Sequence, residues 1–206
     1  IKQSALELIG GTPLLQLNNY SKKAGLKDAK ILAKLEYLNP ANTSDTVQID
    51  IVIIDCHGTI SSNSEAPSKC KYASISVKEI EDELVYLGIP DNYKIKALLI
   101  APDYLGYGAS ADKTHPYMIT NLCARNIIDS VLSVMNNQSS FKIQLKNGYK
   151  SYVIGYSQGG QTSLGTMRAV ENYTPSGLKS TINLQKCYSG AGPHDLPATM
   201  ESFLSK

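Results

Sequence analysis

The chain has 206 residues, 42% hydrophobic and 18% charged, which places it among globular proteins able to bury a core in one domain or two small ones. Its 20 basic and 18 acidic residues leave a net charge of +2 with no basic stripe, arguing against nucleic acid as a partner. No apolar run approaches the roughly 20 residues of a membrane span, and Ile1-Lys2-Gln3-Ser4 carries no apolar export-signal core, so the sequence leaves the compartment open.

The first 42 residues read as a small α/β piece. Ser4-Ala5-Leu6-Glu7 has the S-x-x-E pattern of a capping box, in which serine and glutamate satisfy each other's backbone N–H groups at a helix start. Gly10-Gly11-Thr12-Pro13 is a turn, and residues 14–17 are strand-like. A short helix over 20–24 is stopped by Gly25. Residues 30–36 alternate, with Ile31, Ala33 and Leu35 on one face, as in a strand.

From Val47 the pattern changes. Residues 49–55 are almost continuously apolar, as expected of a strand covered on both faces of a parallel sheet. His57-Gly58-Thr59 follows, then a Ser/Asn/Pro-rich loop over 60–68. Val77, Ile80, Leu84 and Leu87 recur with helical period, and Gly88 and Pro90 close that helix. Residues 95–101 predict a second buried strand, followed by the turn-rich Pro102-Asp103-Tyr104-Leu105-Gly106-Tyr107-Gly108. Pro116 opens a helix with Ile119, Leu122, Cys123, Ile127, Val131 and Met135 on one side, and His115 caps its start. Asn147-Gly148 marks a tight turn before a strand over 149–154. A helix with Leu164, Met167 and Val170, a strand over 181–188 and a loop over 190–193 complete the order. Strands alternating with helices predict a parallel sheet with helices on its faces and a site at the strands' carboxyl ends.

Cys56, Cys70, Cys123 and Cys187 form no C-x-x-C pair, so no metal site is expected; small buried thiols are the simplest reading of Cys56 and Cys187, and Cys70 could pair with another cysteine if the protein is exported. The chemistry concentrates at Gly155-Tyr156-Ser157-Gln158-Gly159, a G-x-S-x-G pattern with a strand before it and a helix after it. A serine at such a strand-to-helix turn is exposed on a strained backbone. Gly155 and Gly159 are needed because strand and helix approach too closely for a Cβ. The helix N-terminus supplies N–H groups and a positive dipole end where an oxyanion forms. The turn His57-Gly58-Thr59 follows the earlier buried strand, where a His-Gly-x turn offers the other donor. The expected oxyanion hole is therefore the backbone amides of Thr59 and Gln158, with the His57 side chain and Gly58 shaping the turn. Asp103 begins an Asp-x-x-Gly-x-Gly-x-Ser segment and is expected to be structural. A coincidental glycine-rich turn is the alternative for the elbow.

Taken together, His57-Gly58-Thr59, residues 102–110, His115-Pro116-Tyr117 and Gly155-Tyr156-Ser157-Gln158-Gly159-Gly160 resemble the α/β-hydrolase superfamily, in particular esterases akin to secretory lipases. The resemblance covers about 47–206. It implies a serine nucleophile, a histidine base and an Asp or Glu orienter, in the order Ser…Asp/Glu…His, acting on a small-molecule ester or lipid without a cofactor. The only histidine after the elbow is His194, adjacent to Asp195 on one loop, where the two cannot readily form the Ser–His–Asp line. The sequence thus predicts an incomplete α/β-hydrolase sheet with an open edge able to self-associate, and weak or no turnover.

A second resemblance lies at the other end. Ser4-Ala5-Leu6-Glu7-Leu8-Ile9-Gly10-Gly11-Thr12-Pro13-Leu14-Leu15, with Ala33-Lys34-Leu35-Glu36-Tyr37-Leu38-Asn39-Pro40-Ala41, is similar to the N-terminus of cysteine synthase. That family implies pyridoxal phosphate on a lysine shortly after Asn-Pro-Ala. Here Asn42-Thr43-Ser44-Asp45 follows and no lysine comes until Lys69, so the Schiff base has no amine. The expectation is a join near residues 42–48 between a cysteine-synthase-like fragment and a hydrolase-like domain. The alternatives are a non-enzymatic fusion or truncated product needing a partner, and a remnant of the pyridoxal-phosphate enzyme.

Overall fold

In a computed structural model, residues 46–70 and 96–205 are described, together with three short strand segments, Leu15–Gln16 (β1), Leu32–Ala33 (β2) and Leu35–Glu36 (β3). The capping box, the turn at 10–13, the helix over 20–24 and the amphipathic helix at 77–87 lie outside the described residues. β1 pairs antiparallel with β2.

Four parallel strands follow: β4 (Val47–Cys56), β5 (Ala97–Ile100), β6 (Ile143–Tyr156) and β7 (Leu184–Gly190). Their order is β5-β4-β6-β7, with β3 added antiparallel along the outer edge of β5 through Leu35↔Ile100 and Glu36↔Leu99. The helices are α1 (Thr120–Met135), α2 (Gln158–Tyr173), α3 (Ser176–Ile182) and α4 (Leu196–Leu204). The predicted architecture of a parallel sheet with flanking helices is the one observed.

Val52, Ile54 and Cys56 of β4 and Val153 of β6 are buried in one cluster with Ile127, Val131 and Val134 of α1. Burial of each such aliphatic side chain contributes about 1.5–3 kcal/mol before the entropic cost of ordering is counted. Ile49 joins the same core although its position has the opposite parity. The phase changes at a bulge: the N–H groups of Asp50 and Ile51 both donate to the Lys96 carbonyl, at 2.8 and 3.2 Å. On the β6 side, Leu145 faces Ile49 and Lys150 faces Ile51, so residues 146–149 make an excursion opposite Asp50. The predicted Asn147-Gly148 turn is this excursion, with Gly148 at φ 78°, inside one long strand rather than before it.

Other elements also differ from the sequence reading. Helix α1 begins at Thr120 rather than at Pro116, because Met118 takes φ 60° and residues 116–119 form a turn. Residues 181–182, read as strand from their β-branched side chains, end helix α3. Asn183 terminates that helix at φ 48° and the chain then enters β7. Helix α4 was not foreseen. It starts where the Asp195 carboxylate accepts from the Ala198 N–H at 3.0 Å, an N-cap bond.

Candidate active site

β4 and β6 are neighbours whose onward connections diverge, β4 to β5 on one side and β6 to β7 on the other. In parallel sheets such a switch point opens a crevice at the strands' carboxyl ends. Cys56 pairs with Gly155, so the turn at 57–59 and the turn at 156–158 emerge side by side. A Cβ on Gly58 would lie 3.3 Å from the Tyr156 carbonyl oxygen and 4.0 Å from Ser157 Cβ, which puts the first turn directly over the second.

Ser157 precedes α2 with φ 58° and ψ −122°, a conformation that costs a non-glycine residue on the order of 1–3 kcal/mol. Its N–H is held by the Gly190 carbonyl at the end of β7, at 2.9 Å. The flanking glycines answer a backbone approach: a Cβ on Gly159 would sit 1.9 Å from the Cys56 carbonyl oxygen, and one on Gly155 would sit 2.2 Å from that of Gly159. Gln158 is the first residue of α2, where an N–H has no carbonyl four residues back within the helix.

The turn at 57–60 is held by three phenols. Tyr104 donates to the His57 carbonyl at 2.8 Å, Tyr107 donates to the Ile60 carbonyl at 2.9 Å, and the Tyr117 hydroxyl pairs with Thr59 Oγ1 at 3.0 Å. Farther along, Glu65 accepts from the N–H groups of Ser61 and Ser62, and Asn63 Oδ1 accepts from the Gly108 N–H. Asp103 Oδ1 accepts from the Ser68 N–H at 2.8 Å, clamping the 57–70 loop to the segment after β5.

All three histidines are engaged away from the serine. The buried His57 ring stacks on Tyr104 with centroids 3.9 Å apart and hydrogen-bonds the Gly58 carbonyl through Nδ1. Burial lowers its pKa from 6.5 to about 4, with the neighbouring His115 adding to the effect, so the ring is neutral at pH 7. His115, expected to cap a helix, instead bonds the Leu105 carbonyl through Nδ1 and the Gln158 side chain through Nε2. His194 Nε2 lies 3.1 Å from Ser189 Oγ, and that hydroxyl donates to the Gly160 carbonyl. The serine proton being committed there, Nε2 of His194 is the donor to Ser189. Burial likewise raises the thiol of Cys56 well above its ordinary value, leaving an inert thiol in the core.

The structure therefore brings together Ser157, Gln158, Gly155, Gly159, His57, Gly58 and Thr59, with Asp103 at the periphery. Sequence reasoning passed over Tyr104, Tyr107 and Tyr117 as ligands of the turn, and His115 as a partner of Gln158. The available signal was three tyrosines and a histidine within the segment that follows β5.

No family model and no curated relative matches this sequence. Solved structures do. The ligand-bound form of the rice cell wall degrading esterase LipA from Xanthomonas oryzae superposes with a TM-score of 0.55 at 20% identity, over 91% of this chain and 51% of that one. LipA in another crystal structure gives 0.53 at 18% identity, over 91% and 50%. A candidate hydrolase from Legionella pneumophila gives 0.51 at 19% identity, over 80% and 42%. The parallel sheet with flanking helices matches an α/β-hydrolase-type fold. The chain spans about half the length of these structures. Among the described residues, no helix is long and apolar enough to cross a membrane and no group of three or more His, Cys, Asp or Glu is arranged to hold a metal.

Proposed function

We propose that this α/β-hydrolase-fold chain carries the nucleophile and oxyanion-binding part of a serine carboxylic-ester hydrolase of the esterase or lipase type. The observation that carries the reading is Ser157 at φ 58° and ψ −122° on the N-terminus of α2, under the 57–59 turn. Ser157 Oγ attacks the acyl carbon, and the carbonyl oxygen takes the displaced electron pair. The Thr59 and Gln158 amides, with the dipole of α2 behind them, stabilise that charge. The Oγ proton passes to a base and then to the leaving alcohol, and water releases the acyl group.

The three imidazoles of the sequence are bonded to Gly58, Gln158 and Ser189, so turnover by these 206 residues is expected to be low. Nucleophile and oxyanion hole without a complete triad retain roughly 10³–10⁴-fold over water in well-studied serine proteases. The esterase descriptions of the structural neighbours support a small-molecule ester as substrate, and nothing about the site calls for a cofactor.

Prolonged incubation with an alkyl fluorophosphonate, followed by intact-mass and peptide analysis, tests this. The phosphonyl group is expected on Ser157, displacing fluoride, and is expected to be absent from Ser157→Ala. Folded protein that stays unlabelled, or equal labelling of the variant, overturns the reading.

The division into a 1–42 fragment and a 47–206 domain is proposed from sequence alone, and the comparisons bring the cysteine-synthase likeness no support. Limited proteolysis that cuts first within residues 42–48 supports the division, whereas first cleavage elsewhere argues against it. The non-enzymatic reading, self-association through the β7 edge included, gains only from the engagement of all three histidines.

A further inference from the structure

We infer that His115 is a positioning residue of the oxyanion hole, acting through the side chain of Gln158; this rests on the serine hydrolase reading above. His115 Nδ1 lies 2.8 Å from the Leu105 carbonyl oxygen, which can only accept, so Nδ1 carries the ring proton. Gln158 Nε2 lies 2.7 Å from the other ring nitrogen, and an amide NH2 can only donate, so His115 Nε2 accepts. That bond anchors the Gln158 side chain to the ring.

Two further observations give the bond a role beyond local packing. Gln158 is among the largest fully buried side chains, so its amide has no water to fall back on and a lost partner is costly. The residue is also the first of α2, directly after the strained Ser157. Holding its side chain therefore holds the peptide plane whose N–H faces the developing negative charge. An oxyanion donor acts through preorganisation, and a small rotation of that plane forfeits much of its effect.

His115 is itself fixed by its neighbours. Its ring is parallel to Tyr104 within 7°, at 5.7 Å between centroids, and lies 4.9 Å from Tyr107 and 6.0 Å from Tyr117. Those are the three tyrosines that bond the 57–60 turn. One imidazole thus joins the two oxyanion strands of the site, contacting the tyrosine frame of the Thr59 side and hydrogen-bonding the residue of the Gln158 side.

The test is a double-mutant cycle read by fluorophosphonate labelling of Ser157. His115→Phe preserves the ring packing and removes the acceptor, and Gln158→Met removes the donor at similar volume. Each is expected to lower the maximal labelling rate on the order of tenfold to a hundredfold, with little change in the half-saturating probe concentration. The double variant should fall no further than the worse single one. His115→Gln, whose amide oxygen can accept in place of Nε2, should recover part of the rate. Wild-type labelling rates in folded His115→Phe, additive losses in the cycle, or no recovery in His115→Gln overturn the inference. If the unmodified chain is not labelled at all, the hydrolase reading fails instead. The His115–Gln158 coupling is then read by NMR: a Gln158 backbone amide resonance unmoved by His115→Phe overturns it, and a displaced one sustains it.

Discussion

The two flanks of Ser157 are built differently. On the flank proposed to hold the oxyanion, the loop over 57–68 is tied to the segment after β5 by three phenols, Asn63 and Asp103, and His57, Tyr104 and Gln158 are buried there. On the β7 flank, His194 is exposed and its Nε2 donates to Ser189. Under the proposed function, the difference teaches that the two halves of the chemistry are separable. Under that function, charge stabilisation needs fixed dipoles, which the tied 57–68 loop and the start of α2 would supply. Proton transfer needs an imidazole aligned with Oγ, and the hydrogen bonds of the three imidazoles go to Gly58, Leu105, Gln158 and Ser189 rather than to Ser157.

Gly159→Ala attacks the rigid flank most directly. Its Cβ would stand 1.9 Å from the Cys56 carbonyl and 2.8 Å from that of His57, both backbone atoms that cannot swing aside. Destabilisation above about 4 kcal/mol is expected, in the range reserved for severe core damage. Denaturant unfolding of the purified variant, or its failure to accumulate as folded protein, is the measurement, and an unchanged midpoint would remove the close-packing account of the elbow.

Acid should loosen the same corner next. The groups facing His57 are Tyr104, Tyr107 and His115. Unfolded, its imidazole takes up a proton near 6.5, and folded only near 4. Between those values the unfolded chain binds the extra proton, so this contribution to stability is full above about pH 6.5 and is lost as pH falls toward 4. The loss amounts to about 3 kcal/mol. Stability of His57→Phe, followed by chemical denaturation from pH 7 to pH 4, should fall less steeply than that of the unmodified chain, and parallel curves would count against a neutral buried ring.

Tyr104→Phe probes a single tie. It leaves the buried His57 carbonyl without its phenol, at a cost of about 1–3 kcal/mol. A loss no greater than that of Tyr117→Phe, whose hydroxyl bond is exposed, would show the frame to be less selective than its burial suggests. Last, His194→Ala should change stability by less than about 0.5 kcal/mol, as for an exposed side chain, and should leave fluorophosphonate labelling of Ser157 within about twofold of the unmodified rate. Abolished labelling would overturn the contrast between the flanks, because the exposed histidine would then be the working base.

What could be read in advance follows the same divide between local and distant. β4 and β5 are legible because strands covered on both faces become apolar runs, and the elbow is legible because its glycines answer a local backbone approach. The tie between His115 and Gln158 joins residues 43 positions apart and leaves no local periodicity, so His115 reads as a helix cap. The end of α3 is obscured for another reason: Thr181 and Ile182 favour a strand by propensity, and the left-handed Asn183 that decides the matter is a feature of the folded backbone. The bulge at Asp50 is likewise invisible, although it sets which side of β4 enters the core.

The pairing of β4 with β6 also bears on the order of folding. Gln48 meets Gln144 across 96 positions, with β5 and α1 formed from the chain between them. Long-range pairings of this kind pay their loop-closure entropy before contacts repay it. The turn over the elbow can press on Ser157 only after that closure. The strained setting of the half-buried Ser157 therefore depends on a contact between segments far apart in the chain.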